Sequence, residues 1–138
     1  MIGDVADHLK VQVAALETVA TTAELGSQMA GRARHRLPAA FVHPVRDRAD
    51  PNTVIGATSQ RLTRIVGVLL ILPATGADRG EKLPDVVESI SGDVRSALVG
   101  WPPQGHEPLE LEGGELLRVA DGVAWWLETY RTSILVRA

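Results

Sequence analysis

Apolar residues recur with two distinct periods along this chain, and the switches between them lay out its elements. Ile2, Val5, Ala6, Leu9 and Val13 fall at helical spacing, with Asp4 and Asp7 in the first turn, where the positive end of a helix dipole favours acid. A short amphipathic helix is predicted there. Leu16-Glu17-Thr18-Val19-Ala20 then alternates as a short strand does, and Thr21-x-x-Glu24 has the spacing of a capping box for a second short helix ending near Gly31. Residues 38–45 read as a strand with proline at its margins; proline cannot donate to a ladder, so an edge strand, or one that leaves the sheet early, is expected. Residues 58–72 alternate in their first half and are apolar on both faces in their second. That pattern describes a long strand running from a wet margin into the middle of a sheet. Val86, Val87, Ile90, Val94, Ala97 and Leu98 trace one stripe opposite Asp85, Glu88, Asp93 and Arg95. With Pro84 suited to a first turn and Gly100 to the position past the end, the main helix is predicted over 84–99, after a connector at 74–82.

The C-terminal third carries the strongest local signal. Two runs of branched aliphatic and aromatic residues flank Asp121-Gly122, the dipeptide that best closes a two-residue hairpin, and this hairpin is expected to be the spine of the sheet. Leu109-Glu110-Leu111-Glu112 leads into it and reaches Gly113-Gly114, where a bulge or bend is predicted. Residues 101–108 hold three prolines and read as a rigid connector, with Trp101 capping the end of the core. Adjacent Trp125 and Trp126 point to opposite faces of their strand. One ring enters the core; if helices occupy one side only, the other is expected to be covered by another chain. Residues 46–57 are polar, mixed in charge and turn-rich, a loop or extended hairpin tip longer than a simple connection needs. Such excess serves assembly or is a loose insertion. The elements together predict an α+β fold, a two-layer α/β domain with a mixed, mainly antiparallel sheet, helices packed on one face, and a single domain over 1–138.

Composition narrows the function. At 138 residues, 45% hydrophobic, with mean hydropathy +0.05, the chain suits one domain with a real core. It has no cysteine, so disulfides and thiolate metal sites are out of reach. The acidic N-terminus and the lack of any apolar run near the roughly 20 residues of a membrane span predict a protein made and kept in the cytoplasm, with no membrane partner. A formal charge of −3 argues against a nucleic-acid reader, though not against a surface past which DNA slides. His8, His35, His43 and His106 show no metal-ligand spacing, and no nucleophile elbow or phosphate-binding glycine loop is present. Glu110, Glu112 and Glu115 are the nearest approach to a carboxylate cluster; Glu110 and Glu112, on one strand face, suit a hard cation or, more commonly, the solvent side of an edge strand. Arg32-Ala33-Arg34-His35-Arg36 suits a phosphate patch or, more commonly, a solvated connector. No catalytic residue, metal site or cofactor is expected.

Several segments together resemble the tail terminator proteins of long-tailed bacteriophages. They are Ala39-Ala40-Phe41-Val42 leading into a polar arm with Pro51-Asn52, Leu98-Val99-Gly100-Trp101-Pro102-Pro103, Pro108-Leu109-Glu110-Leu111-Glu112-Gly113-Gly114-Glu115-Leu116-Leu117, and Asp121-Gly122-Val123-Ala124-Trp125-Trp126. The resemblance implies a homo-hexameric ring on the end of the tail tube, which stops tube polymerisation and offers an attachment surface to the head-completion, or neck, protein. It implies the tail-neck junction of the virion as the site of action, a lumen through which DNA passes without sequence-specific binding, and no catalysis. The alternating charges of Arg46, Asp47, Arg48 and Asp50, with Pro51, Asn52 and Trp126, are the expected assembly residues, the charges suiting a salt-sensitive contact repeated around a ring. Two other readings compete. One is a head-tail connector or neck protein. The other is a small-ligand-binding or hydrolytic domain using the acidic strand 110–115 with Trp101 as a wall.

Overall fold

The longest apolar strand of the sequence finds its partner in the C-terminal run, and the sheet grows outward from that pair. A computed structural model of the chain describes residues 1–21, 36–74 and 77–138, with the backbone alone at 77–82. In order, its elements are α1 (Ile2–Gln12), β1 (Thr18–Thr21), β2 (Ala39–Ala49), β3 (Ser59–Pro73), α2 (Ala77–Leu98), β4 (Glu110–Ala120) and β5 (Val123–Arg137). The strands form one five-stranded sheet in the order β1-β2-β3-β5-β4, antiparallel except for the parallel β1–β2 pair. This is a mixed, mainly antiparallel α+β fold, as the patterning predicts.

β3 and β5 pair without a register shift from Ser59↔Arg137 to Pro73↔Val123. The spine is therefore this pair, and the C-terminal hairpin contributes one strand to it while its other strand, β4, lies at the sheet edge. Asp121 (φ 53°) and Gly122 (φ 77°) close that hairpin with both central residues left-handed, the conformation an Asp-Gly turn is selected for. β4 carries two irregularities, between Leu111 and Gly113 and between Leu116 and Arg118. The first falls at the predicted Gly-Gly bend.

Alternation sorts the sheet into two faces. On one, Ala40, Val42, Val66, Val68, Leu70, Leu72, Ala124 and Tyr130 bury against Val5, Ala6 and Leu9 of α1 and Ile90, Val94 and Leu98 of α2, so both described helices share this side. On the other, Ala20, Ala39, Phe41, Leu69 and Ile71 form a second buried cluster with Val123, Trp125 and Leu127 packed against it. Phe41 and Ile71 have no exposed surface in the single chain.

Three boundaries differ from the sequence reading, each for a local reason. α2 begins at Ala77, so Pro84 lies inside the helix rather than in its first turn. Ala77, Glu81, Lys82 and Leu83 are good helix formers, and their preference carries the helix through the one hydrogen bond that a proline removes. Gly100 does sit past the end with φ 83°. β2 is flanked by β1 along Ala39–Val42 and is an edge only beyond, so proline marks where the flanking strand stops. Finally, 46–49 are strand, not loop, pairing with 62–65 of β3 after a bulge at Val45. The predicted helix near 24–31, and most of the basic run at 32–36, lie outside the described residues.

Where α2 crosses β5, the side chains are not all apolar. Glu128 is fully buried and takes a bidentate pair from Arg95, Nε to Oε1 at 2.6 Å and Nη2 to Oε2 at 3.0 Å. Gly114 stands opposite Glu128 on β4, and a Cβ there would overlap the carboxylate and crowd the Trp126 ring. The strand is bare where the ion pair needs room. The hydrogen bond to Glu128 holds the Arg95 guanidinium charged beyond its ordinary range.

Candidate functional site

The polar arm is an extended hairpin. Every residue from Pro44 to Thr58 is exposed, and β2 and β3 continue past the helices as a two-stranded ribbon with β5 alongside. Its tip is organised by Asn52. The Asn52 amide accepts from the backbone N–H groups of Val54 (3.2 Å) and Ser59 (3.0 Å) and donates to the carbonyls of Val54 (3.1 Å) and Ala57 (3.0 Å). Asn52 thus works inside the subunit, shaping a loop that lifts Val54 and Ile55 into solvent. Ile55 is 99% exposed. Together Val54 and Ile55 make an exposed aliphatic tip.

The arm's charges are divided between the two faces. Asp47 pairs with Arg64 (3.3 Å), directly across from it on β3. Arg46 and Arg48, one residue to either side, point to the opposite face and make no ion pair among the described residues. Following the register across the sheet, that face carries the rows Arg46–Ile65–Arg131–Glu110, Arg48–Thr63–Ser133, Arg61–Leu135 and Ser59–Arg137. On these rows five arginines stand with two carboxylates, Glu110, which holds Arg131 at 2.9 Å, and Asp50, whose backbone N–H donates to the Arg61 carbonyl across the strand pair at 2.8 Å. An acidic chain therefore has one basic face, which no count of net charge reveals. Strand pleat puts Asp47 on the side opposite Arg46 and Arg48, while Asp50 shares their side next to Arg61.

At the other end of the sheet a groove of about 430 Å³ opens between α2 and the β4 edge. Leu83, Pro84, Val87, Leu116 and Trp126 give it apolar walls, and Glu88 and Arg95 stand among them. Trp126, expected at an interface, lies here on the helix side, while Trp125 lies on the opposite face beneath the Arg118 guanidinium, 5.8 Å from its centroid. Both rings are half-buried. β4 completes this end as a free edge whose Leu116, Leu117 and Val119 are exposed.

Residues considered for chemistry are dispersed. Trp101 stacks on His8, ring centroids 4.0 Å apart and planes 8° from parallel, and His8 donates to the Ala97 carbonyl at 3.0 Å. This caps the α1–α2 contact, and the pairing was invisible in sequence because its members lie far apart along the chain. Glu110 is engaged by Arg131, Glu112 is the residue at the first β4 irregularity, and Glu115 stands opposite Leu127. The acidic strand and the Trp101 ring do not form one site. His43 packs its ring over Gly67, and His106 contacts Arg64 at 3.3 Å. Among the described residues no cluster of His, Asp and Glu fit to hold a metal is present, and no helix is long and apolar enough to cross a membrane.

Compared with known proteins, the chain matches the family profile described as Phage tail terminator protein over residues 2–138. Among solved structures it is similar to a chain of the virion of a native gene transfer agent (GTA) particle, with a TM-score of 0.57 and 12% identity. The similarity covers 99% of this chain and 95% of that one, and at such identity it is a likeness of fold. No curated protein matches the chain in sequence.

Proposed function

Because the chain belongs to the phage tail terminator family, whose members are structural and not enzymes, we propose that it caps the tail tube as a homo-hexameric ring. In this reading the ring stops further tube subunits from adding and presents its free side to the head-completion protein. It works at the tail-neck junction of the virion, after synthesis in the host cytoplasm, and DNA passes through its lumen without sequence-specific contact.

The observation that carries this reading is the hairpin. A hairpin whose residues 44–58 are all exposed, with a braced tip ending in Ile55, adds nothing to the subunit's own core. Its worth lies in contact with other molecules. Arg46, Asp47, Arg48, Asp50 and Pro51 belong to that contact, Asn52 supports it from within, and Trp126 belongs to a separate surface on the helix side.

Removing residues 48–55 and closing the gap with Asn-Gly tests the reading. The expected product is a soluble, folded monomer by size-exclusion chromatography with light scattering, and the phage carrying it makes tails of uncontrolled length by electron microscopy. Rings and normal-length tails from the shortened protein would show that the hairpin is not an assembly element.

A further inference from the structure

The hairpin tip and the α2–β4 groove lie at opposite ends of the same strands. The tip precedes Ser59, the groove residue Trp126 pairs with Leu70, and eleven residues of β3 separate the two, about 36 Å of extended chain at ~3.3 Å each. A subunit therefore cannot place its own tip in its own groove. Each end nevertheless has what the other lacks. The tip presents exposed Val54 and Ile55, and the groove is an apolar recess walled by Val87, Leu116 and Trp126. Behind the tip stand Arg48 and Arg61, with no ion-pair partner among the described residues; beside the groove, α2 exposes Asp85 and Glu88.

We infer that the groove between α2 and β4 is the receptor for the hairpin tip of a second copy of this chain. Val54 and Ile55 of one subunit seat against Val87, Leu116 and Trp126 of the next, and Arg48 and Arg61 meet Asp85 and Glu88. The inference rests on the proposed role of the hairpin in assembly and names what the hairpin docks into. Because donor and receptor are different surfaces, the contact is head-to-tail, the kind that repeats around a ring when its rotation closes. Exposed aliphatic residues at the tip favour a protein partner over nucleic acid, since phosphates offer an isoleucine nothing to bury against.

The absence of native cysteine allows a direct test by crosslinking. A variant carrying Ile55→Cys and Leu116→Cys has one donor and one receptor thiol per chain. Mild oxidation is expected to give a ladder of disulfide-linked multimers, forming about tenfold or more faster than in a control pairing Ile55→Cys with Ala14→Cys, because docking raises the effective concentration of one thiol near the other. Mixing the two single variants should stop the ladder at dimers. Val87→Cys supplies a second receptor position in case the first alters the edge strand. Rates equal to the control for both receptor positions would overturn the inference.

If those equal rates accompany rings that still depend on residues 48–55, the hairpin assembles the protein through some other surface. If the shortened protein also forms rings, the underlying reading fails as well. Charge reversal adds an independent arm. Arg48→Glu with Arg61→Glu should weaken assembly, and Asp85→Arg with Glu88→Arg in the same chain should restore it. If the first pair abolishes binding to a short DNA duplex and leaves assembly unchanged, the arginines serve phosphates and the ion-pair part of the inference is wrong.

Discussion

Gly114 shows how a single residue is fixed by the chemistry of its neighbour across the strand pair. The buried Glu128 carboxylate takes its charge into the helix-sheet junction only because Arg95 follows it there, and the pair needs the space above Gly114. Gly114→Ala is expected to destabilise the fold by about 1–3 kcal/mol in urea unfolding, the usual cost of forcing an extra carbon into a packed site. Arg95→Met should cost about 2–3 kcal/mol. That is near the low end for a broken buried pair, because the guanidinium is partly exposed and water can reach the vacated position. None of this is legible in the sequence, where Glu128 reads as an ordinary polar position on an alternating strand, 33 residues from its partner. Asp121-Gly122, by contrast, is legible because the constraint it answers is local.

Tyr130 gives a pH prediction at the same scale. Burial raises its phenol above the ordinary value near 10, the Glu128 charge raises it further, and Arg95 works against both. The hydroxyl has no hydrogen-bond partner among the described residues. A raised folded pKa means that the unfolded chain releases this proton first. The contribution to stability is thus intact below about pH 10 and is lost as pH rises beyond it. Tyr130 is the chain's one tyrosine. In an alkaline titration, phenolate absorbance near 295 nm should therefore appear together with the loss of far-ultraviolet dichroism. Absorbance that rises while the dichroism holds would mean that the phenol is not sealed in the folded state.

Among the elements, the long strands were readable and their surroundings were not. Residues 58–72 announced β3 because its second half, buried on both faces, has no polar positions to spare. What lies beside a strand is set by pairing across the chain, so the edge character of residues 38–45 was only half right and α2 was begun seven residues late. The tryptophan pair belongs to this scale. Trp126 packs between α2 and β4, and Trp126→Ala should cost about 3 kcal/mol, the lower bound for a large aromatic because the ring is only half-buried. Trp125→Ala should cost less, with its ring lying under an arginine rather than a helix. Equal costs in urea unfolding would contradict this ordering. The hairpin tip is a second case. Asn52→Ala removes four hydrogen bonds between the side-chain amide and backbone groups of an exposed loop, so amide exchange at Val54 and Ser59 should accelerate while global stability falls by no more than about 1 kcal/mol.

For the whole molecule, the family was legible by resemblance, and the placement of charge on the surface was not. The net charge of −3 carries no information on where charge lies, and strand pleat gathers Arg46, Arg48, Arg61, Arg131 and Arg137 on one side. A contact that uses such a face responds to screening. Raising ionic strength towards roughly 1 M, where the Debye length shrinks to about 3 Å, should shift assembly to higher protein concentration, as read by light scattering. An assembly indifferent to salt would place its energy in apolar contact alone.

The two breaks in β4 bear on this in a different way. An uninterrupted edge strand invites any other exposed strand to extend its ladder, and a protein that gathers in numbers at one spot is the one most at risk. Offsets near Glu112 and Leu117 put the edge out of step with a straight partner twice within eleven residues. If the proposed role of halting tube growth holds, such a molecule has a margin on which growth cannot readily start.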